Sequence, residues 1–198
     1  DKIQFIFMFM GFIILLTYSY LNFGGIINLV QNTPDYTFTL TGNLNLTFIF
    51  AWGFIALITF IDPGFYQRTF AGKSKKTVQK SIKISILFWF IFDFMTISCG
   101  IYALAILPSI DTSPYLDLAS YILPPFAKSL FILSLLSIVM STIDSLTFIS
   151  GYTIGRDFNK ILGFEVEEKK QINYTRIGIA LSSFLAIILA NYFTYAVD

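Results

Sequence analysis

Five stretches of this chain are apolar for long enough to cross a lipid bilayer, and that pattern fixes its class before any motif is considered. A spanning helix needs about 20 mostly apolar residues, because the hydrocarbon layer is ~30 Å thick and each helical residue rises ~1.5 Å. The stretches run from about Ile3 to Tyr20, Leu46 to Ile61, Ile84 to Leu107, Phe126 to Gly151 and Ile177 to Ala196. Turn-forming residues separate them: Asn22-Phe23-Gly24-Gly25, Asp62-Pro63-Gly64, Pro108, Pro124-Pro125 and Gly163-Phe164-Glu165. Lys2 ahead of the first stretch resembles a signal-peptide flank, but no small-x-small cleavage site follows, so the stretch reads as a span. Of the 198 residues, 56% are hydrophobic and 13% are charged. Soluble domains carry about 25% charged residues, and a soluble chain this apolar would expose aggregating patches. The expected fold class is therefore an all-α polytopic membrane protein, one transmembrane unit over 1–198 with no separate soluble domain.

The same composition excludes several chemistries. With no His, a Ser-His-Asp triad, a Cys-His pair and a His-ligated metal are ruled out within this sequence. The single Cys99 excludes an internal disulfide and a CxxC site. No G-x-x-x-x-G-K-[ST] loop occurs, so ATP is not bound in the P-loop manner. The chain reads as a non-enzyme that binds no nucleic acid.

Charge sorting sets the expected orientation. Arg68, Lys73, Lys75, Lys76, Lys80 and Lys83 lie between the second and third stretches, and Arg156, Lys160, Lys169, Lys170 and Arg176 between the fourth and fifth. With Lys2 these are twelve of the thirteen basic residues, and five alternating crossings put all of them on one side. By the positive-inside rule the N-terminus and loops 66–83 and 156–176 are cytoplasmic, in a cell membrane. The bases read as topology rather than as a lipid- or nucleic-acid-binding surface. Asn45-Leu46-Thr47 has the form of a glycosylation acceptor, but it abuts the membrane.

Ionisable groups at bilayer depth cost about 2.5–3.5 kcal/mol each on insertion scales, so they point to function. Asp93 and Asp144 lie inside spans; Asp62 sits at the end of one, beside Pro63, and reads as a turn cap. Asp93 shares a face with Thr96, Ile97 and Gly100, and either hydrogen-bonds within the bundle or titrates. The fourth stretch is rich in hydroxyls. At 100° per residue Ser134, Ser137, Ile138, Ser141 and Ser145 form one stripe, flanked by Thr142 and Asp144. Small hydroxyl residues let helices approach closely. Oxygen donors also suit a hard cation such as Na⁺. Periodicity leaves both readings open. Trp52, Trp89 and Tyr102 read as lipid-facing packing or an interfacial belt.

Three segments bear a resemblance. Met140-Ser141-Thr142-Ile143-Asp144-Ser145, continuing to Arg156-Asp157-Phe158, resembles the sodium:solute symporter family. Ile61-Asp62-Pro63-Gly64-Phe65-Tyr66-Gln67-Arg68 is similar to that family's D-P-x-x-x-Q-R segment, and Asp1-Lys2-Ile3-Gln4 to its T-D-x-x-Q helix start. The segments stand in the family's order. The resemblance implies a LeuT-type fold of two inverted five-helix repeats, of which this chain would be a fragment completed by helices missing here. It implies that Ser141 and Thr142, with the Ile138 backbone carbonyl, ligate a coupling sodium. A second sodium at Asp1, Asp144 and Ser145 is implied for some members.

The implied function is sodium-coupled symport of a small organic solute across the bilayer by alternating access. One charge crossing 100 mV contributes about 2.3 kcal/mol to such a cycle. Two alternatives stand beside it: a symporter-like sensor domain of a signalling protein, and a proton-coupled carrier in which Asp93 or Asp144 titrates.

Overall fold

The computed structural model describes residues 2–110, 113–161, 163 and 168–192. Among them there is no strand, and five helical segments are long and apolar enough to span a membrane: Lys2–Phe23, Leu46–Phe70, Lys75–Ile106, Pro125–Ile161 and Lys170–Tyr192. The protein is an all-α polytopic membrane protein. The chain divides into two compact units, Asp1–Met140 and Ser141–Asp198.

The first unit opens with α1 (Lys2–Phe23) and a short α2 (Ile26–Asn32). Between them Gly24 adopts φ +96°, a left-handed conformation that glycine reaches without a Cβ penalty, and its N–H donates to the Tyr20 carbonyl at 2.8 Å. The second span is two helices. α3 (Leu46–Ala56) is capped by Asn45, whose Oδ1 accepts from the Thr47 N–H at 3.1 Å. The asparagine of the acceptor-like tripeptide thus serves as a helix cap. A 3₁₀ turn, Leu57–Phe60, then leads to α4 (Pro63–Phe70). Asp62 caps α4, its Oδ1 accepting from the Gly64 and Phe65 N–H groups at 2.7 and 3.2 Å, while Pro63 occupies the first turn, where no N–H is needed.

The third span, α5 (Lys75–Ile106), starts well before the apolar stretch, because Ser74 caps it by accepting from the Thr77 N–H at 3.2 Å. After it comes α6 (Pro114–Ile122), too short to span, then α7 (Pro125–Tyr152). The core joins Phe12 and Leu15 of α1, Met95, Cys99 and Ala103 of α5, Leu118 and Ala119 of α6, and Phe131 of α7. Rings hold it in edge-on geometry: Phe12 meets Phe92, Tyr115 and Phe131 at centroid distances of 5.2, 5.4 and 5.5 Å. Tyr102 is not lipid-facing as expected. It is buried, and its hydroxyl donates to the Gly24 carbonyl at 2.8 Å, tying α5 to the end of α1. Trp52 and Trp89 are exposed.

In the second unit α7 runs into a π-helical turn (Thr153–Phe158), a short α8 (Asn159–Ile161) and α9 (Glu168–Tyr192). The expected end of the last helix, 193–196, lies outside the described residues. Glycines set the approach of α9 to the π turn. A Cβ on Gly155 would lie 2.5 Å from the Thr175 nitrogen and 2.7 Å from its Cα; one on Gly178 would lie 2.7 Å from the Gly151 carbonyl oxygen. Such small-residue contacts drive helix pairing in lipid, where apolar side chains gain nothing by leaving the solvent. Gly155→Ala should therefore lower stability by about 1–3 kcal/mol through overpacking. Gly53→Ala, whose Cβ meets nothing within 4 Å, should be neutral or stabilising. Thermal unfolding of the full-length protein in detergent, compared across both variants, checks the contrast.

Candidate functional site

The helical stripe expected on the fourth span exists in α7. Ser134 and Ser137 are buried, and Ile138, Ser141 and Ser145 are half-buried. Between them Leu136, Val139, Met140 and Ile143 are exposed, each more than half. Thr142 and Asp144, the flanking residues, are exposed. Ser134, Ser137, Ile138, Ser141 and Ser145 thus share the less exposed side of α7, while Leu136, Val139, Met140 and Ile143, with the flanking Thr142 and Asp144, lie on the exposed side.

The stripe's two ends differ in chemistry. The Ser134 hydroxyl donates to the Phe131 carbonyl at 2.7 Å, and Ser137 to the Leu133 carbonyl at 2.9 Å. Both buried hydroxyls are therefore satisfied by their own helix, as a hydroxyl in lipid must be. Ser134 also makes a close helix contact. A Cβ on Gly11 of α1 would come within 2.2 Å of both Ser134 side-chain atoms, so glycine there is what admits the serine. Sequence periodicity gave no sign of this pairing, since Gly11 stands alone in an apolar run. For this end of the stripe, close packing is the observed role.

The other end holds the residues implied as ion ligands. Ser141 and Thr142 follow the Ile138 carbonyl by one helical turn on the same continuous helix, and Asp144 and Ser145 come directly after. The boundary between the two compact units falls between Met140 and Ser141, within α7. Asp1 lies outside the described residues. No group of three or more His, Cys, Asp or Glu side chains suited to a transition metal occurs among the described residues. Donors on this helix are hydroxyl, carbonyl and single carboxylate oxygens, the set that a hard monovalent cation accepts. Asp93, on α5, is exposed, and its carbonyl accepts from the Thr96 hydroxyl at 2.9 Å.

The packing role of Ser134 makes a sharp prediction. Gly11→Ala should destabilise the protein by about 1–3 kcal/mol, and adding Ser134→Gly should recover most of that loss. A double-mutant cycle on unfolding temperature in detergent measures the coupling.

Comparison with known proteins fits this helix pattern. The model of the sodium:solute symporter family matches residues 1–195. Neither curated proteins nor solved structures give a match. Covering nearly the whole chain, the match assigns the five spans and the α7 segment to one lineage of membrane transporters for small solutes: the chain belongs to the sodium:solute symporter family.

Proposed function

We propose that this chain forms part of a sodium-coupled symporter that carries a small organic solute by alternating access. The observation that carries the reading is the family match over residues 1–195, together with the row of oxygen donors on α7. In this reading Ser141 and Thr142 supply hydroxyl ligands and Ile138 its backbone carbonyl. The remaining ligands come from elsewhere in a LeuT-type bundle, near the bilayer midplane. Asp144 and Ser145, with Asp1, form a second sodium position. Sodium bound near the midplane stabilises the outward-open state, and its release to a negative, low-sodium interior gives the cycle its direction.

The chain's own residues do three things in such a cycle. The Ser141 and Thr142 hydroxyls replace part of the ion's hydration shell. The packed first half of α7 holds its backbone still, so the Ile138 carbonyl keeps its place relative to those hydroxyls. The exposed apolar side chains keep the rest of the helix in lipid. In the full-length protein reconstituted in vesicles, Ser141→Ala and Thr142→Ala should each raise the sodium concentration for half-maximal uptake about tenfold, equivalent to ~1.4 kcal/mol. Ser137→Ala should leave it unchanged. Unchanged sodium dependence in both ligand variants, or uptake driven by pH alone without sodium, overturns the assignment.

The orientation is proposed on the same footing, with the N-terminus and the two basic loops cytoplasmic in a cell membrane. The native thiol is a convenient blank, because Cys99 is fully buried. Lys76→Cys should react with a membrane-impermeant maleimide only from the cytoplasmic face, and Leu40→Cys, at a fully exposed position, only from outside. Sided vesicles read the result directly; the reverse pattern inverts the topology.

A further inference from the structure

The two basic loops differ in a way that topology does not require. Between Asp62 and Asp93 there are six bases and no acid. The segment from Arg156 to Arg176 sets Asp157, Glu165, Glu167 and Glu168 among its five bases. Orientation depends on Lys and Arg and is little affected by Asp and Glu, so the missing acids in the first loop call for another cause.

The helix geometry supplies one. Because α5 begins at Lys75, Lys76, Lys80 and Lys83 lie on helix rather than in a loop, at the i, i+4, i+7 spacing that places them on one face. The same spacing continues through Leu87, Phe90, Phe94 and Ile97, which are 56, 69, 64 and 62% exposed. All three lysines are exposed as well. The packed side of α5 is elsewhere: Phe88 and Phe92 meet the rings of α1, and Met95, Cys99 and Tyr102 enter the core. At 100° per residue that side is turned about 120° from the lysine row. One face of α5 therefore carries apolar side chains through the hydrocarbon and three ammonium groups in the turns just beyond it, where phosphate headgroups lie. Lysine stems run along apolar surface while their heads reach the interface, which suits this placement.

We propose that the Lys76–Lys80–Lys83 row of α5 binds the phosphate headgroup of an anionic phospholipid in the adjoining leaflet, with the lipid's chains along Leu87 and Phe90. Charge complementarity favours this occupant: three cations on one face, in a stretch from 63 to 92 whose sequence holds no acid, match a surface of negative headgroups. Each lysine near an anionic surface contributes about fivefold in affinity, ~1 kcal/mol. The inference rests on the bilayer-spanning character of α5 and not on the transported solute or its coupling ion.

Native mass spectrometry of the full-length protein, released from nanodiscs of equal phosphatidylcholine and phosphatidylglycerol, tests it. The expected result is preferential retention of phosphatidylglycerol, reduced tenfold or more in the triple variant Lys76→Gln, Lys80→Gln, Lys83→Gln. The matched variant Lys160→Gln, Lys170→Gln, Arg176→Gln, with the same charge change in the other loop, should retain the lipid as the unaltered protein does. Excess soluble glycerol phosphate should not displace it, because it lacks the chains that lie on the apolar part of the face. Equal retention by the unaltered protein and the first variant overturns the proposal. So does equal loss in both variants, which would mean that bulk charge alone holds the lipid. Displacement by glycerol phosphate would overturn it too, reassigning the row to a free phosphate compound.

Discussion

Every backbone N–H and C=O within a bilayer must find its partner inside the protein, and the architecture results from how this chain meets that demand. The apolar stretches satisfy it by continuous helix. Where helix stops, a side chain or a tight turn takes over. Asp62 accepts from two N–H groups at the start of α4, Asn45 and Ser74 each accept from one at the start of α3 and α5, and Gly24 closes α1 with a left-handed residue. Side-chain hydroxyls obey the same rule, as Ser134 and Ser137 show by bonding back to carbonyls one turn earlier. A hydroxyl that serves as an ion ligand works under this constraint too: the cation takes lone pairs while the hydroxyl proton stays with the helix.

Once hydrogen bonds are internal, the helices still need a reason to prefer one another to lipid. Apolar area alone offers little, since acyl chains are as apolar as leucine. Two devices are visible. In the first unit the aromatic rings of α1, α5, α6 and α7 meet edge to face, where the ring quadrupoles attract as well as the dispersion forces. In the second, glycines at 151, 155 and 178 let backbones approach to distances at which any side chain would collide. The abundance of phenylalanine, 23 residues, is thus partly a pairing device and not merely a mark of hydrophobicity.

Much of this was legible in the sequence. The five spans come from run length, the Asp62 cap from its place before Pro63, and the inward serine stripe from the 100° periodicity of α7. The short helices α2 and α6 were not legible, because at seven and nine residues they resemble the loops in which they sit. Nor was the extension of α5 to Lys75, where a serine cap and a row of lysines look like polar linker until the helix is seen to continue. The Gly11–Ser134 contact and the glycine cradle around Thr175 are tertiary facts that join distant positions, and no local pattern announces them. For the candidate site on α7 the helix face alone was readable, because spacing within one helix carries no information about residues on any other.

The π-helical turn at Thr153–Phe158 has a consequence for how such chains change length. Its i→i+5 bonds enclose one more residue than an α turn closes, so it stores a single-residue insertion within a continuous helix. Loss of one residue there would restore α geometry while the helix on either side keeps close to its original phase. The turn is therefore a natural seam for insertions and deletions: related chains can vary by one residue at this point without disturbing the hydroxyl stripe upstream.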